Sequence, residues 1–171
     1  KSGEITEGEL LESGGGRPAR RYMYNANYSL AICITITSDK DSHSLRCVLV
    51  NLKAEVLSEK VSVYKAITFD TIDEAIQNFI GKYKHIRAIG VGIPGITRGG
   101  VITHCDVQEL NGVSLKSMLY EKYNLNITVE NEMHSMVYGY HKNHSELEGK
   151  SIAVLLAPED HHLGAGFFIN G

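Results

Sequence analysis

Glu130-Asn131-Glu132 follows directly on a short β-branched run, Ile127-Thr128-Val129, and Pro94-Gly95 ends an earlier apolar run over residues 88–93 just as abruptly. Asparagine both donates and accepts hydrogen bonds and an ionised glutamate only accepts, a mixture suited to hydroxyl-rich ligands such as sugars. A glycine after a proline lets backbone come close to a ligand with no side chain in the way. These polar groups gather at the ends of two buried strands, and in an open parallel α/β sheet the crevice beyond the carboxyl ends is where small molecules bind. Gly95, Asn131 and Glu132 are therefore the candidate binding residues. Asn131 and Glu132 also suit a helix N-terminus, where asparagine caps and acidic residues favour the first turn. Spacing leaves both readings open.

Other reactive side chains point less clearly to a site. Cys33, Cys47 and Cys105 are odd in number, far apart and without a CxxC pair, and they read as buried thiols rather than a disulfide or metal set. His134 and His141 are spaced to share a helix face, His141 and His144 are three apart, and His161-His162 adjoin Asp160. None has a cysteine or carboxylate partner at a fixed spacing, so they read as surface or satisfied core histidines and no metal site is expected. Gly14-Gly15-Gly16 beside Arg17, Arg20 and Arg21 could cradle a phosphate, but the Lys-Ser/Thr pair of a P-loop is missing and no strand is expected before it. Residues 1–27 read as a flexible linker.

The rest of the chain must position these groups. Its 171 residues, 43% hydrophobic and 22% charged, are enough for one domain with a sizeable core or for two small lobes. A net charge of -3 gives no basic surface for nucleic acid, so any DNA contact is local. No apolar run approaches the ~20 residues of a membrane span, and the opening residues are unlike a secretory signal. A cytoplasmic protein without a membrane partner is expected. Residues 30–37, 45–52 and 56–63 are rich in β-branched residues and lie close enough together for an antiparallel meander. A helix capped by Asp70 or Thr71 follows, with Ile72, Ala75, Ile76, Phe79 and Ile80 on one face, and stops near Gly81. Then come a strand at 87–93, a short one at 100–103, a helix at 115–123, a strand at 127–129, a helix from 132 toward 141, and strands at 152–156 and 167–169. The order β-β-β-α-β-α-β-α is that of a ribonuclease-H-like lobe of the actin and sugar-kinase fold, and right-handed crossovers would put helices on both faces of its sheet. The expected division is a linker at 1–27, lobe I at 28–149, and the first hairpin of a second lobe at 150–171.

In this order the chain resembles the ROK family of sugar kinases and sugar-responsive transcriptional repressors, which share a two-lobed fold. The resemblance rests on Gly14-Gly15-Gly16-Arg17-Pro18, Gly90-Val91-Gly92-Ile93-Pro94-Gly95, Leu110-Asn111-Gly112-Val113-Ser114-Leu115, Val129-Glu130-Asn131-Glu132, and Gly164-Ala165-Gly166-Phe167-Phe168-Ile169-Asn170-Gly171. It implies a linker after a winged helix-turn-helix, DNA as a partner through that head, and a sugar or sugar phosphate as ligand; an isolated lobe would also leave its interlobe face and edge strands uncovered, so a homo-oligomer is expected. Three departures bear on catalysis. Where the kinases carry an Asp-Gly-Gly-Thr phosphate turn, this chain reads Cys33-Ile34-Thr35-Ile36-Thr37, with Asp39 and Asp41 beyond, carboxylates that repel phosphate. At the place of the second phosphate loop stands Asp160-His161-His162, and Glu132 replaces the family's catalytic aspartate. Glutamate is one methylene longer, and moving a base by about 1 Å costs on the order of a hundredfold. Phosphoryl transfer is mostly positioning and electrostatics, so the chain is expected to be non-catalytic, with no cofactor. A sugar kinase and an inert dimerisation domain are the alternatives.

Overall fold

The computed structural model describes residues 3–11, 19–157 and 163–170. The first correction lies at the N-terminus. The stretch expected to be a flexible linker holds two paired strands, β1 (Ile5–Leu11) and β2 (Ala19–Tyr24), antiparallel with Ile5 opposite Tyr24. The glycine triplet with Arg17 and Pro18 lies outside the described residues. A turn of 3-10 helix, Ala26–Tyr28, capped by the Asn25 side chain, connects this hairpin to the body.

The meander forms where expected. In β3 (Leu30–Ser38) every second residue from Leu30 to Ile36 is buried, the period of a strand with one face in a core. β4 (His43–Asn51) pairs antiparallel with β3 from Leu30–Asn51 to Ser38–His43, and β5 (Val56–Tyr64) pairs with the far side of β4. Next, α1 (Phe69–Ile80) buries Ile72, Asp73, Ala75, Ile76 and Phe79. Its cap is Thr68 rather than Asp70 or Thr71: Thr68 and Thr71 exchange side-chain-to-backbone hydrogen bonds, a capping box one turn earlier than expected.

β6 (Ile86–Ile93) runs parallel to β3. The short strand expected at 100–103 is half of a hairpin, β7 (Gly95–Arg98) with β8 (Val101–Cys105), turned at Gly99-Gly100. After α2 (Leu115–Tyr123), β9 (Asn126–Asn131) adds parallel to β6, giving the order β5-β4-β3-β6-β9. α3 (Glu132–Asn143) leaves the end of β9 and packs its buried Met133 and Val137 against a last hairpin, β10 (Ile152–Leu156) with β11 (Gly164–Phe168). A Cβ at Gly166 would lie 2.5 Å from the Met133 carbonyl oxygen, so only a glycine lets that strand come so near the helix backbone.

The core fills one face of the central sheet. Ile32, Ile34, Ile36, Leu45, Leu49, Ile89, Val91, Ile93, Ile127 and Val129 meet α1, α2 and the segment around Leu110 there. On the other face Thr37, Arg46, Val61, Val63, Thr128 and Glu130 are exposed, and α3 meets it at Gly92. Helices thus lie on both faces as expected, α1 and α2 over the core and α3 on the Gly92 side, although much of the second face is exposed within this chain.

An ion pair between the buried Asp73 and the exposed Lys122 ties α1 to α2. Asp73, 7% exposed, accepts hydrogen bonds from Gln77 Nε2, Lys122 Nζ at 2.6 Å and Tyr123 Oη at 2.6 Å. Burial pushes its carboxyl up, but the bonds from Lys122 and Tyr123 and the Lys122 charge outweigh that and hold it below the usual carboxylate range. Cys33, Cys47 and Cys105 are free thiols, and burial pushes Cys47 up to about 12.

Candidate functional site

Gly95, Asn131 and Glu132 come together at the carboxyl ends of β6 and β9. The parallel register sets Ile93 opposite Asn131, so the chain leaves both strands at the same level. Gly95 then opens β7 directly opposite Cys105. A Cβ on Gly95 would lie 2.2 Å from the His104 carbonyl oxygen and 2.8 Å from Cys105 Cα, so this position requires glycine for close approach of the returning strand.

Asn131 joins the two sides. Its Oδ1 accepts from the amides of Met133 at 2.9 Å and His134 at 3.1 Å, which makes it the N-cap of α3. Its Nδ2 donates to the Gly95 carbonyl at 2.9 Å and to Glu132 Oε2 at 3.3 Å. The capping role is therefore present in full, and all four hydrogen-bonding positions of the amide are occupied. The 3.3 Å bond is the longest of the four, and a ligand hydroxyl could take it over without disturbing the cap or the turn.

Glu132 is half-buried at the helix start. Burial pushes its carboxyl above the usual range, a hydrogen bond from its own backbone opposes the shift, and the charge of Asp106 adds to it. Asp106 is exposed, follows directly on β8, and donates its amide to the Pro94 carbonyl at 3.0 Å. It is a member of the site that reading the sequence missed. Nothing local marks it; it reaches Glu132 through the fold-back of β7 and β8. Asn111 fixes that fold-back: its side chain accepts from the Cys105 amide at 2.8 Å and donates to the Cys105 carbonyl at 3.2 Å. Gly112 and Val113 pair with the backbone of Ile102 on the neighbouring strand. The Leu110-to-Leu115 segment thus holds β8 in place. The edge so built offers two carboxylates, one asparagine amide and a close-approach backbone turn, a set suited to recognising hydroxyl groups.

The places compared with phosphate loops look different. Residues 33–37 form regular strand, paired with β4 throughout and with β6 as far as Thr35–Gly92. The turn beyond is closed by the Asp39 amide on the Ser42 carbonyl at 2.8 Å and by the Lys40 amide on Asp39 Oδ1 at 2.6 Å. The second such place, Asp160-His161-His162, lies outside the described residues.

The histidines do not converge. His134 is exposed, His144 Nδ1 meets the Tyr140 carbonyl at 2.8 Å, and His141 is buried. His141 departs from the satisfied core histidine expected: its ring stacks on Phe168 at 4.1 Å, and neither ring nitrogen has a hydrogen-bond partner among the described residues. No group of three or more potential metal ligands occurs among the described residues.

Three comparisons bear on this geometry. A family model described as the ROK family matches residues 35–171. The xylose repressor of Bacillus subtilis is 26% identical over 182 residues, covering 98% of this chain and 44% of that protein. Among solved structures, a ROK family transcriptional regulator, homolog of the E. coli Mlc protein, superposes with a TM-score of 0.70 at 19% identity, over 99% of this chain and 44% of that one. A ROK family glucokinase from Streptomyces griseus, solved with glucose and AMPPNP, reaches 0.67 at 16% identity, over 83% of this chain and 45% of that one. The chain spans less than half the length of each of these relatives.

Proposed function

The chain belongs to the ROK family, and from that premise we propose that it is a non-catalytic, sugar-sensing portion of a transcriptional regulator. The observation that carries this reading is the contrast between two places. The Gly95–Asn131–Glu132 edge is assembled and held by hydrogen bonds, whereas residues 33–37, where the kinases carry a glycine turn for phosphate, are continuous paired strand followed by Asp39 and Asp41. A sugar hydroxyl would take over the long Asn131–Glu132 bond, with Glu132 and Asp106 as further partners.

The N-terminal stretch supports the regulator reading. The regulator match covers 99% of this chain and the glucokinase match 83%, and we take residues 1–27 as the part that belongs to the regulator alone. In this reading those residues lead from a DNA-reading head, residues 28–149 are lobe I, and residues 150–171 begin lobe II. The regulator acts as a homo-oligomer in the cytoplasm. No helix among the described residues is long and apolar enough to cross a membrane.

A panel of pentoses, hexoses and their phosphates tests this by thermal melting of the 171-residue chain. Xylose comes first because curated relatives are called xylose repressors. A binder at a hundred times its dissociation constant adds about 2.7 kcal/mol and raises the melting temperature. Silence across the panel points instead to an inert dimerisation domain.

One observation favours a second reading. A carboxyl held above its usual range at a crevice edge is what a general base for a sugar hydroxyl requires, so Glu132 fits a sugar kinase as well. Calorimetry with magnesium-ATP separates the two. Tight nucleotide binding or sugar-dependent ATP turnover overturns the non-catalytic reading.

A further inference from the structure

We propose that Asn51 is a positioning residue that, through Asn27, locks the N-terminal hairpin onto the end of the central sheet remote from the crevice, so that hairpin and sheet move as one body. Asn51 ends β4, is 6% exposed, and uses its side chain completely. Its Oδ1 accepts from the amides of Lys53 at 3.0 Å and Glu55 at 3.1 Å, and its Nδ2 donates to Glu55 Oε2 at 2.7 Å. These three bonds, with backbone bonds from the Asn51 amide to Glu55 and from the Ala54 amide to Asn51, suffice to build the turn between β4 and β5. The fourth bond leaves the turn: Nδ2 donates to Asn27 Oδ1 at 2.9 Å. Two amides facing Oδ1 fix the orientation of the carboxamide, since a flip would set its NH2 against both of them.

From Asn27 the chain of bonds continues into the hairpin. The Asn27 amide donates to Asn25 Oδ1 at 3.1 Å, Asn25 Nδ2 donates to the Gly3 carbonyl at 2.9 Å, and the Asn25 amide donates to the Glu4 carbonyl at 2.8 Å. A parallel link runs from the Leu52 amide to the Ala26 carbonyl at 3.0 Å. Tyr28 stacks on His85 at 6.2 Å, and His85 in turn accepts the Leu30 amide at 2.9 Å. The ends of β1 and β2 are thus connected to the start of β3 and the β4–β5 turn through bonds centred on one buried amide. Buried polar groups left without partners are costly, so Asn51 holds the hairpin in one orientation.

The location gives the joint its consequence. Asn51 pairs with Leu30 at the start of β3, while the Gly95–Asn131–Glu132 edge lies beyond the carboxyl ends of the parallel strands β6 and β9. The two lie at opposite poles of one sheet. What the joint transmits rests on the proposed sugar-sensing function; the joint itself does not, and the experiment below needs neither sugar nor DNA.

Amide hydrogen exchange on the 171-residue chain tests it. Asn27→Ala removes the outgoing bond and leaves the Asn51 turn intact, while Glu55→Ala removes an equally short bond inside the turn. In Asn27→Ala, exchange at Asn25, Leu52 and the paired amides of β1 and β2 is expected to rise at least tenfold, with β3 and β6 unchanged. In Glu55→Ala the hairpin amides are expected to stay within twofold of wild type. Hairpin exchange unchanged in Asn27→Ala, equal acceleration in both variants, or acceleration spread equally into β3 and β6 overturns the proposal.

Discussion

Asp73 in the second turn of α1 and Glu132 at the start of α3 are both acidic, and their surroundings drive their carboxyls in opposite directions. Asp73 sits in the seam between α1 and α2, where Lys122, Tyr123 and Gln77 all donate to it and hold it below the usual range. Glu132 begins α3 beyond the carboxyl end of β9, where burial and the charge of Asp106 hold it above that range. Both lose solvation, so the difference lies in the partners: the seam supplies three side-chain donors, whereas Glu132 has a long bond from Asn131, one from its own backbone, and the charge of another carboxylate nearby. In the proposed reading Asp73, with its partners supplied by the protein, is structural, and Glu132 is left for a ligand hydroxyl to complete.

Four substitutions break or sharpen this contrast. Asp73→Ala has the largest expected effect, a loss of about 3 kcal/mol in denaturant unfolding, because it removes three side-chain hydrogen bonds to one carboxylate at once, and it is expected to leave any sugar response intact where the fold survives. Gly95→Ala is expected to cost about 2 kcal/mol from the clash with His104 and Cys105, and to abolish any sugar-induced rise in melting temperature. Asn131→Ala is expected to cost about 1 kcal/mol through the lost cap and to remove the same ligand response.

Glu132→Gln has the smallest effect and the most specific one. A carboxyl raised in the folded state contributes stability that is present in full below its ordinary value and lost as pH rises through the raised one. Glu132→Gln is therefore expected to melt higher than wild type at neutral pH, with the difference vanishing near about pH 3.5, below the ordinary glutamate value. Asp73 runs the other way: its contribution is present above the ordinary aspartate value and lost as pH falls through the lowered one. An acid melting series in which the two variants shift alike contradicts the comparison.

Much of the framework was legible in the sequence because it is local. The alternation in residues 30–36 and the apolar face from Ile72 to Phe79 each follow from a short-range period, and both form as expected. Two hairpins were missed, one of them although its signal was present. A glycine pair flanked by strand-forming residues, as in Ile96-Thr97-Arg98-Gly99-Gly100-Val101, marks a tight reversal, yet only a short strand at 100–103 was read there; the stretches that pair as β1 and β2 were read as part of a linker. Gly95, Asn131 and Glu132 do meet, because strand ends in register bring successive crossovers to one level. Asp106 could not be foreseen, since its approach to Glu132 depends on how Asn111 clamps β8, and no period encodes that.

β4 runs between two partners from His43, next to the turn bearing Asp39 and Asp41, to Val50, one residue short of Asn51. Nine residues of extended chain span roughly 30 Å at about 3.3 Å each. A ribbon stitched along both margins neither stretches nor buckles readily, so it behaves as a pushrod: a nudge at its first residue arrives at its last with little loss. Tilting the sheet by a few degrees at one end would therefore swing the amino-terminal ribbon at the other through a larger arc, with no hinge required between them.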